Sequence, residues 1–239
     1  VAQFLLLQNS LGQDLLNCIA RTGSPATPTY TLKILYISPR WVQSNYKKIT
    51  ERAPTGTGEN DFALLQITGR TDPNLDLKPP FPALAIDDSE NTVIAGQPAI
   101  IVAYPAGFLG GITIQRDLYI VSSIVTIGQR YTFTTGTLDT FSLGGSPVAQ
   151  HGSSGGAVVN SDGNLMGIIV TSTDAKETSG RDLDALSISH INRSLSTETG
   201  FTLDSILSSN LESFSSKFSS EILPKLRKTL SEELIPKNL

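Results

Sequence analysis

The run Gln150-His151-Gly152-Ser153-Ser154-Gly155-Gly156-Ala157-Val158 sets a serine among three glycines. That composition suits nucleophilic chemistry. Glycines let a backbone approach a substrate closely and aim successive N–H groups at one point. With Ser154 as nucleophile, the amides of Gly152 and Ser154 can stabilise an oxyanion, a contribution of about 3–4 kcal/mol per donor. The bland alternative is a flexible Gly/Ser turn.

The same run also fits G-x-S-x-G, the elbow that presents the nucleophile of α/β-hydrolases. Triad order would allow it, with Asp174, Asp182 or Asp184 and then His190 following Ser154. An elbow must run into a helix, however. Here Ala157-Val158-Val159 leads to Asn160-Ser161-Asp162-Gly163 and then Leu165–Val170, which reads as strand, tight turn, strand. The elbow loses.

The elements around Ser154 are β-rich. Candidate strands are Phe4–Gln8, Thr31–Ile37, Phe62–Ile67, Ala99–Ala103, Tyr119–Thr126, Ala157–Val159, Leu165–Val170 and Leu186–Ile188. Turn formers separate them, the pattern of a sandwich or barrel. Asp72–Pro82 carries four prolines and predicts a connector. Beyond about Asn192 the period changes. Leu203, Leu207, Leu211, Phe214, Phe218, Ile222, Leu226, Leu230 and Leu234 recur every three or four residues, which is helix spacing. Pro224 is expected to divide this tail into two helices, since proline fits best in a first turn. The stripe predicts docking on its own domain, with joining of subunits as the alternative.

Composition narrows the function. The 239 residues are 39% hydrophobic and 17% charged, with net charge −4 and no basic block, which gives nucleic acid no electrostatic foothold. Apolar runs such as Ala99–Ala103 are too short to span a bilayer. Cys18 is the single cysteine, so no internal disulfide and no Cys/His zinc cluster is expected. Because the chain opens on Val1 and enters Phe4–Leu7 at once, the true N-terminus, with any signal or anchor, is expected upstream.

In order along the chain, several boxes resemble the trypsin-like peptidases, most closely the bacterial HtrA/DegP-like branch. Gly152-Ser153-Ser154-Gly155-Gly156 resembles the nucleophile box, with Ala157 in place of the usual proline. Asp162-Gly163-Asn164-Leu165-Met166-Gly167-Ile168-Ile169 resembles the hairpin that follows it. Asp61-Phe62-Ala63-Leu64-Leu65-Gln66-Ile67 resembles the box of the catalytic aspartate, and Gly96–Pro105 resembles the start of the second barrel. The resemblance implies an all-β chain of two six-stranded antiparallel β-barrels; the C-terminal helical extension read from the apolar stripe lies outside it. Together they divide the chain into residues 1–80, with the first strand missing, 81–195, which carry the nucleophile, and 196–239.

The resemblance further implies a serine endopeptidase acting on protein or peptide, without metal or organic cofactor, in an extracytoplasmic setting. The tail's apolar stripe leaves open a homo-oligomer through the C-terminal helices. Asp61 would orient and charge-stabilise an imidazole. The imidazole is missing from its place: the expected general-base position is Asn17, whose amide has no useful basicity. Only His151 and His190 exist, both after Asp61. His151 is read as a rim residue of the substrate groove and His190 as a surface residue. The pocket for the substrate side chain before the cleaved bond would be formed by Val148, His151, Thr171 and Thr173. With no carboxylate at Val148, a small or medium apolar side chain is expected there. Loss of the histidine costs a Ser/His/Asp enzyme on the order of 10⁶ in turnover, so an inactive relative that binds peptides or partners is the alternative.

Overall fold

The computed structural model describes residues 18–51, 55–107, 109–133, 135–172 and 182–234. The expected strand Phe4–Gln8, the Asn17 position and Thr173 lie outside that range, as does the side chain of Thr171. The chain forms two compact units. One comprises Val1–Ala20, Thr29–Leu77 and Ser194–Leu239; the other comprises Arg21–Pro28 and Lys78–Arg193.

The first unit is built on a three-stranded sheet in the order β1 (Cys18–Thr22), β2 (Thr27–Ile37), β3 (Ala63–Arg70). Two register shifts, at Thr31/Leu32 and Ile34/Tyr36, bend the β2–β3 pair. Helix α1 (Pro39–Asn45) follows β2. Its proline sits in the first turn and Ser38 Oγ accepts from the Trp41 amide at 3.3 Å, which caps it. The C-terminal helices belong to this unit. Phe214 in the helix Leu211–Lys217 and Phe218, in the π-helical turn after it, pack their rings 6.3 and 5.7 Å from that of Tyr36 in β2. A last helix runs over Leu223–Leu234 with Pro224 in its first turn, where proline is tolerated, and buries Leu226 and Leu230. Much of the tail's apolar stripe is therefore spent inside the chain.

A buried acid holds this unit's polar interior. Glu198 lies in α3 (Ile188–Thr199). Its carboxylate accepts from Tyr36 Oη, from Ser38 Oγ at 2.9 Å and from Ser194 Oγ at 3.2 Å. Burial and the Glu198 carboxylate push the Tyr36 phenol well above its ordinary value.

The second unit is one seven-stranded antiparallel sheet. In chain order its strands are β4 (Pro98–Ala103), β5 (Val121–Thr126), β6 (Arg130–Tyr131), β7 (Thr140–Ser142), β8 (Ala157–Val159), β9 (Leu165–Ser172) and β10 (Leu183–Ser187). They pair in the order β5-β4-β8-β9-β10-β7-β6. A short helix α2 (Gly111–Arg116) joins β4 to β5. Strand alternation makes the core: β4 turns Ala99, Ile101 and Ala103 inward, against Phe141 and Val158. Mostly-β architecture with two sheets and C-terminal helices is thus present. Among the described residues the strands number three and seven rather than six and six, and no pairing closes either sheet.

Candidate functional site

The hairpin after Ser154 has the expected form. Between β8 and β9, Asn160 accepts at Oδ1 from the amides of Asp162 and Asn164 at 3.0 and 2.9 Å, and Gly163 takes φ +83°. Strand, tight turn and strand leave no helix for an elbow.

Backbone bonds fix the loop before β8. Gly155 N donates to Ile169 O at 2.7 Å and Ile169 N returns a bond to Gly156 O at 2.9 Å. Gly156 N closes on Ser153 O at 2.9 Å. The buried Ser153 hydroxyl donates to Val148 O at 2.5 Å. Gly152 takes φ +93°, and a Cβ there would meet Tyr104 O at 3.0 Å, so the position requires glycine. Two amides stay out of this scheme. Among the described residues, neither Gly152 N nor Ser154 N has a hydrogen-bond acceptor, and the exposed Ser154 Oγ has no partner. One hydroxyl and two unspent donors lie within three consecutive residues.

Beside them opens a cavity of about 250 Å³ lined by Val102, Ala103, Tyr104, Ile120, Gly152 and Ser154–Ala157. The substrate-pocket expectation meets a correction here. Val148 is fully buried in the core of the second unit and does not line this cavity. Its carbonyl, not its side chain, supports the loop, through Ser153. His151 is exposed, as a rim residue would be, with its carbonyl bonded to Ala106 N at 2.7 Å.

Asp61 precedes β3 in the first unit. Its amide donates to Gly58 O at 3.0 Å, and the preceding Asn60 is held at φ +58° with its side chain accepting from Ser194. Asp61 is half-buried, and that burial raises its carboxyl above the ordinary carboxylate range. Among the described residues nothing donates a hydrogen bond to it.

His190 is not a surface residue. It sits in the first turn of α3, buried, with Nδ1 2.8 Å from Asp139 Oδ1 and its ring edge-on to Phe133. Arg193 reaches the same carboxylate oxygen at 2.6 Å and also pairs with Glu90. Asp139 Oδ2 accepts from Phe133 N at 2.6 Å and Thr137 Oγ1 at 2.9 Å. Burial alone would raise the Asp139 carboxyl, but the bonds from His190, Phe133, Thr137 and Arg193 outweigh it and hold it well below the usual range. Among the described residues His190 Nε2 is buried without a partner, and no serine hydroxyl of theirs meets this imidazole. Residues 51 positions apart make the pair, and no local spacing announces it.

Residues 21–168 match the trypsin-like peptidase domain. The chain belongs to that family. The matched segment includes both Asp61 and Ser154 of this trypsin-like peptidase chain. No curated protein matches it. Among solved structures it is similar to Rv3671c from M. tuberculosis H37Rv, an inactive form of a serine-to-alanine mutant, at 15% identity with TM-score 0.38. That likeness covers 58% of this chain and 59% of the other, so the chain spans little more than half the length of that relative. It is also similar to the scabies mite inactivated protease paralogue S-I1, at 15% identity and TM-score 0.42, with 72% of each chain covered.

Proposed function

We propose that this trypsin-like peptidase chain is a serine endopeptidase that hydrolyses peptide bonds through an acyl-enzyme on Ser154. The observation that carries the reading is the unspent trio of Ser154 Oγ, Gly152 N and Ser154 N at the mouth of one cavity. Ser154 Oγ would attack the carbonyl carbon and pass its proton to a general base, the imidazole that the resemblance expects and that neither His151 nor His190 supplies by a hydrogen bond to Ser154. The two amides take the charge that develops on oxygen. Collapse breaks the C–N bond as the base returns the proton to the leaving amine, and water then releases the acid and restores Ser154. Asp61 has the role of orienting the base. The order of the boxes around Asp61, Gly96–Pro105 and Ser154 supports the HtrA/DegP-like branch.

A second reading has its own observation. Neither histidine is hydrogen-bonded to Ser154: His190 is locked on Asp139, and His151 points no ring nitrogen at the hydroxyl within bonding distance. Asn17 cannot serve as base. The same groove would then hold peptides or protein partners without cleaving them. An internally quenched peptide library separates the two. Turnover that disappears in Ser154→Ala supports the endopeptidase; peptide binding without turnover in both proteins supports the inactive relative and overturns the first reading.

A further inference from the structure

Ser154 shares its cavity with a second set of residues whose chemistry is uniform. Val102 and Ala103 end β4, Ala157 begins β8, and Ile120 lies just before β5; no charged side chain lines the space. Tyr104 donates its hydroxyl to Gly23 O at 2.9 Å, which fixes the ring as a wall. Small residues hold the cavity's back close to the loop. A Cβ on Gly156 would fall 2.7 Å from Ala103 Cβ and 2.8 Å from Val102 O. Ile120, by contrast, leaves 45% of its surface in water beside a reactive serine.

We propose that this cavity is a substrate subsite that takes one apolar side chain, of leucine or phenylalanine type, from the peptide residue next to the reacting bond. The proposal rests on the reading of Ser154 as the reacting group. Its occupant follows from what the lining can and cannot satisfy. An aliphatic or aromatic group would withdraw Ile120, Val102 and its own surface from water, a gain proportional to the apolar area covered. A carboxylate or ammonium entering the same space would lose hydration and find no countercharge. The lining amides of Gly155 and Gly156 are already bonded to Ile169 O and Ser153 O. The amides of Gly152 and Ser154 have no acceptor among the described residues and are left for the carbonyl oxygen of the bond itself. This pocket lies on the β4 and Ile120 side of Ser154 and is distinct from the one expected at Val148, which is core.

The test is an amide-shift NMR titration of the whole chain with N-acetyl-leucinamide, N-acetyl-phenylalaninamide, N-acetyl-lysinamide and N-acetyl-aspartamide. Saturable shifts at Tyr104, Ile120 and Gly152–Ala157 are expected for the two apolar probes, with binding at least about tenfold weaker for the charged ones. Ile120→Asp should weaken the leucine probe by a similar factor, and Ile120→Val should preserve it. Ile124→Asp, at a residue 77% exposed and outside the lining, should change nothing. Equal shifts for charged and apolar probes, or leucine binding indifferent to Ile120→Asp, would overturn the subsite. Fluorophosphonate labelling of Ser154 separates the two levels. A labelled serine without apolar selectivity removes the subsite alone; selective apolar binding without labelling keeps the subsite and removes the endopeptidase.

Discussion

The Gly152–Gly156 loop and the Asp139–His190–Arg193 cluster both belong to the second unit, and both contain residue types that peptidases use. They differ in what their polar groups have left to give. In the cluster, Asp139 accepts from Phe133, Thr132, Thr137 and Arg193, and His190 spends Nδ1 on it. Burial closes the remaining nitrogen to any substrate. In the loop, the bonds run between Gly155, Gly156, Ser153 and the neighbouring strand, and the groups at Gly152 and Ser154 stay open. A histidine beside an aspartate is thus a brace in this chain, while a serine with no partner is the reactive candidate. Availability of the group, more than its identity, divides structure from chemistry.

The largest effect should come from breaking the brace. Asp139→Ala strands the buried His190 Nδ1–H and removes the acceptor of the Phe133 amide, while Arg193 keeps Glu90 and Leu138 O, and a loss of about 3–5 kcal/mol is expected by urea denaturation. Its pH dependence has a defined sign. Because the folded carboxyl is held below its unfolded value of about 3.9, the stabilisation by Asp139 is complete above that value and is lost as pH falls beneath it. The stability gap between the native chain and Asp139→Ala should therefore be full at pH 6 and shrink below about pH 4. A gap that grows on acidification would contradict the brace. Next in size is Gly156→Ala. Its Cβ would overlap Ala103 and two carbonyls, at an expected cost of about 1–3 kcal/mol, together with weakened apolar binding in the cavity. Smallest for stability is Ser154→Ala. The hydroxyl is exposed and bonded to nothing among the described residues, so the change should stay within about 0.5 kcal/mol. Destabilisation by several times that amount would make Ser154 another brace and erase the contrast.

Much of the second unit was legible in advance because its signals are local. A short apolar run marks Ala99–Ala103, the Asp162-Gly163 turn marks the β8–β9 hairpin, and the glycines around Ser154 mark a loop whose backbone can approach a substrate closely. The short strands β6 and β7 were not legible. Two or three residues hold no period, and pairing across the sheet, not propensity, makes them strands. The Asp139–His190 pair was missed for a related reason: its partners are remote in sequence and each sits in an unremarkable stretch. Val148 was misplaced because spacing from the nucleophile says nothing about which way a side chain turns. Here it turns into the core. The tail helices were visible from their apolar stripe, and rings from Phe214 and Phe218 on Tyr36 explain where that stripe goes.

The most direct measurement is intact-mass spectrometry of the chain after exposure to a fluorophosphonate, followed by peptide mapping. One adduct, mapped to Ser154 rather than to the neighbouring Ser153 and absent from Ser154→Ala, is the predicted result. A folded chain that stays unmodified, or that carries its adduct on another serine, would contradict the claim that the open hydroxyl and its two unspent amides form a reactive centre.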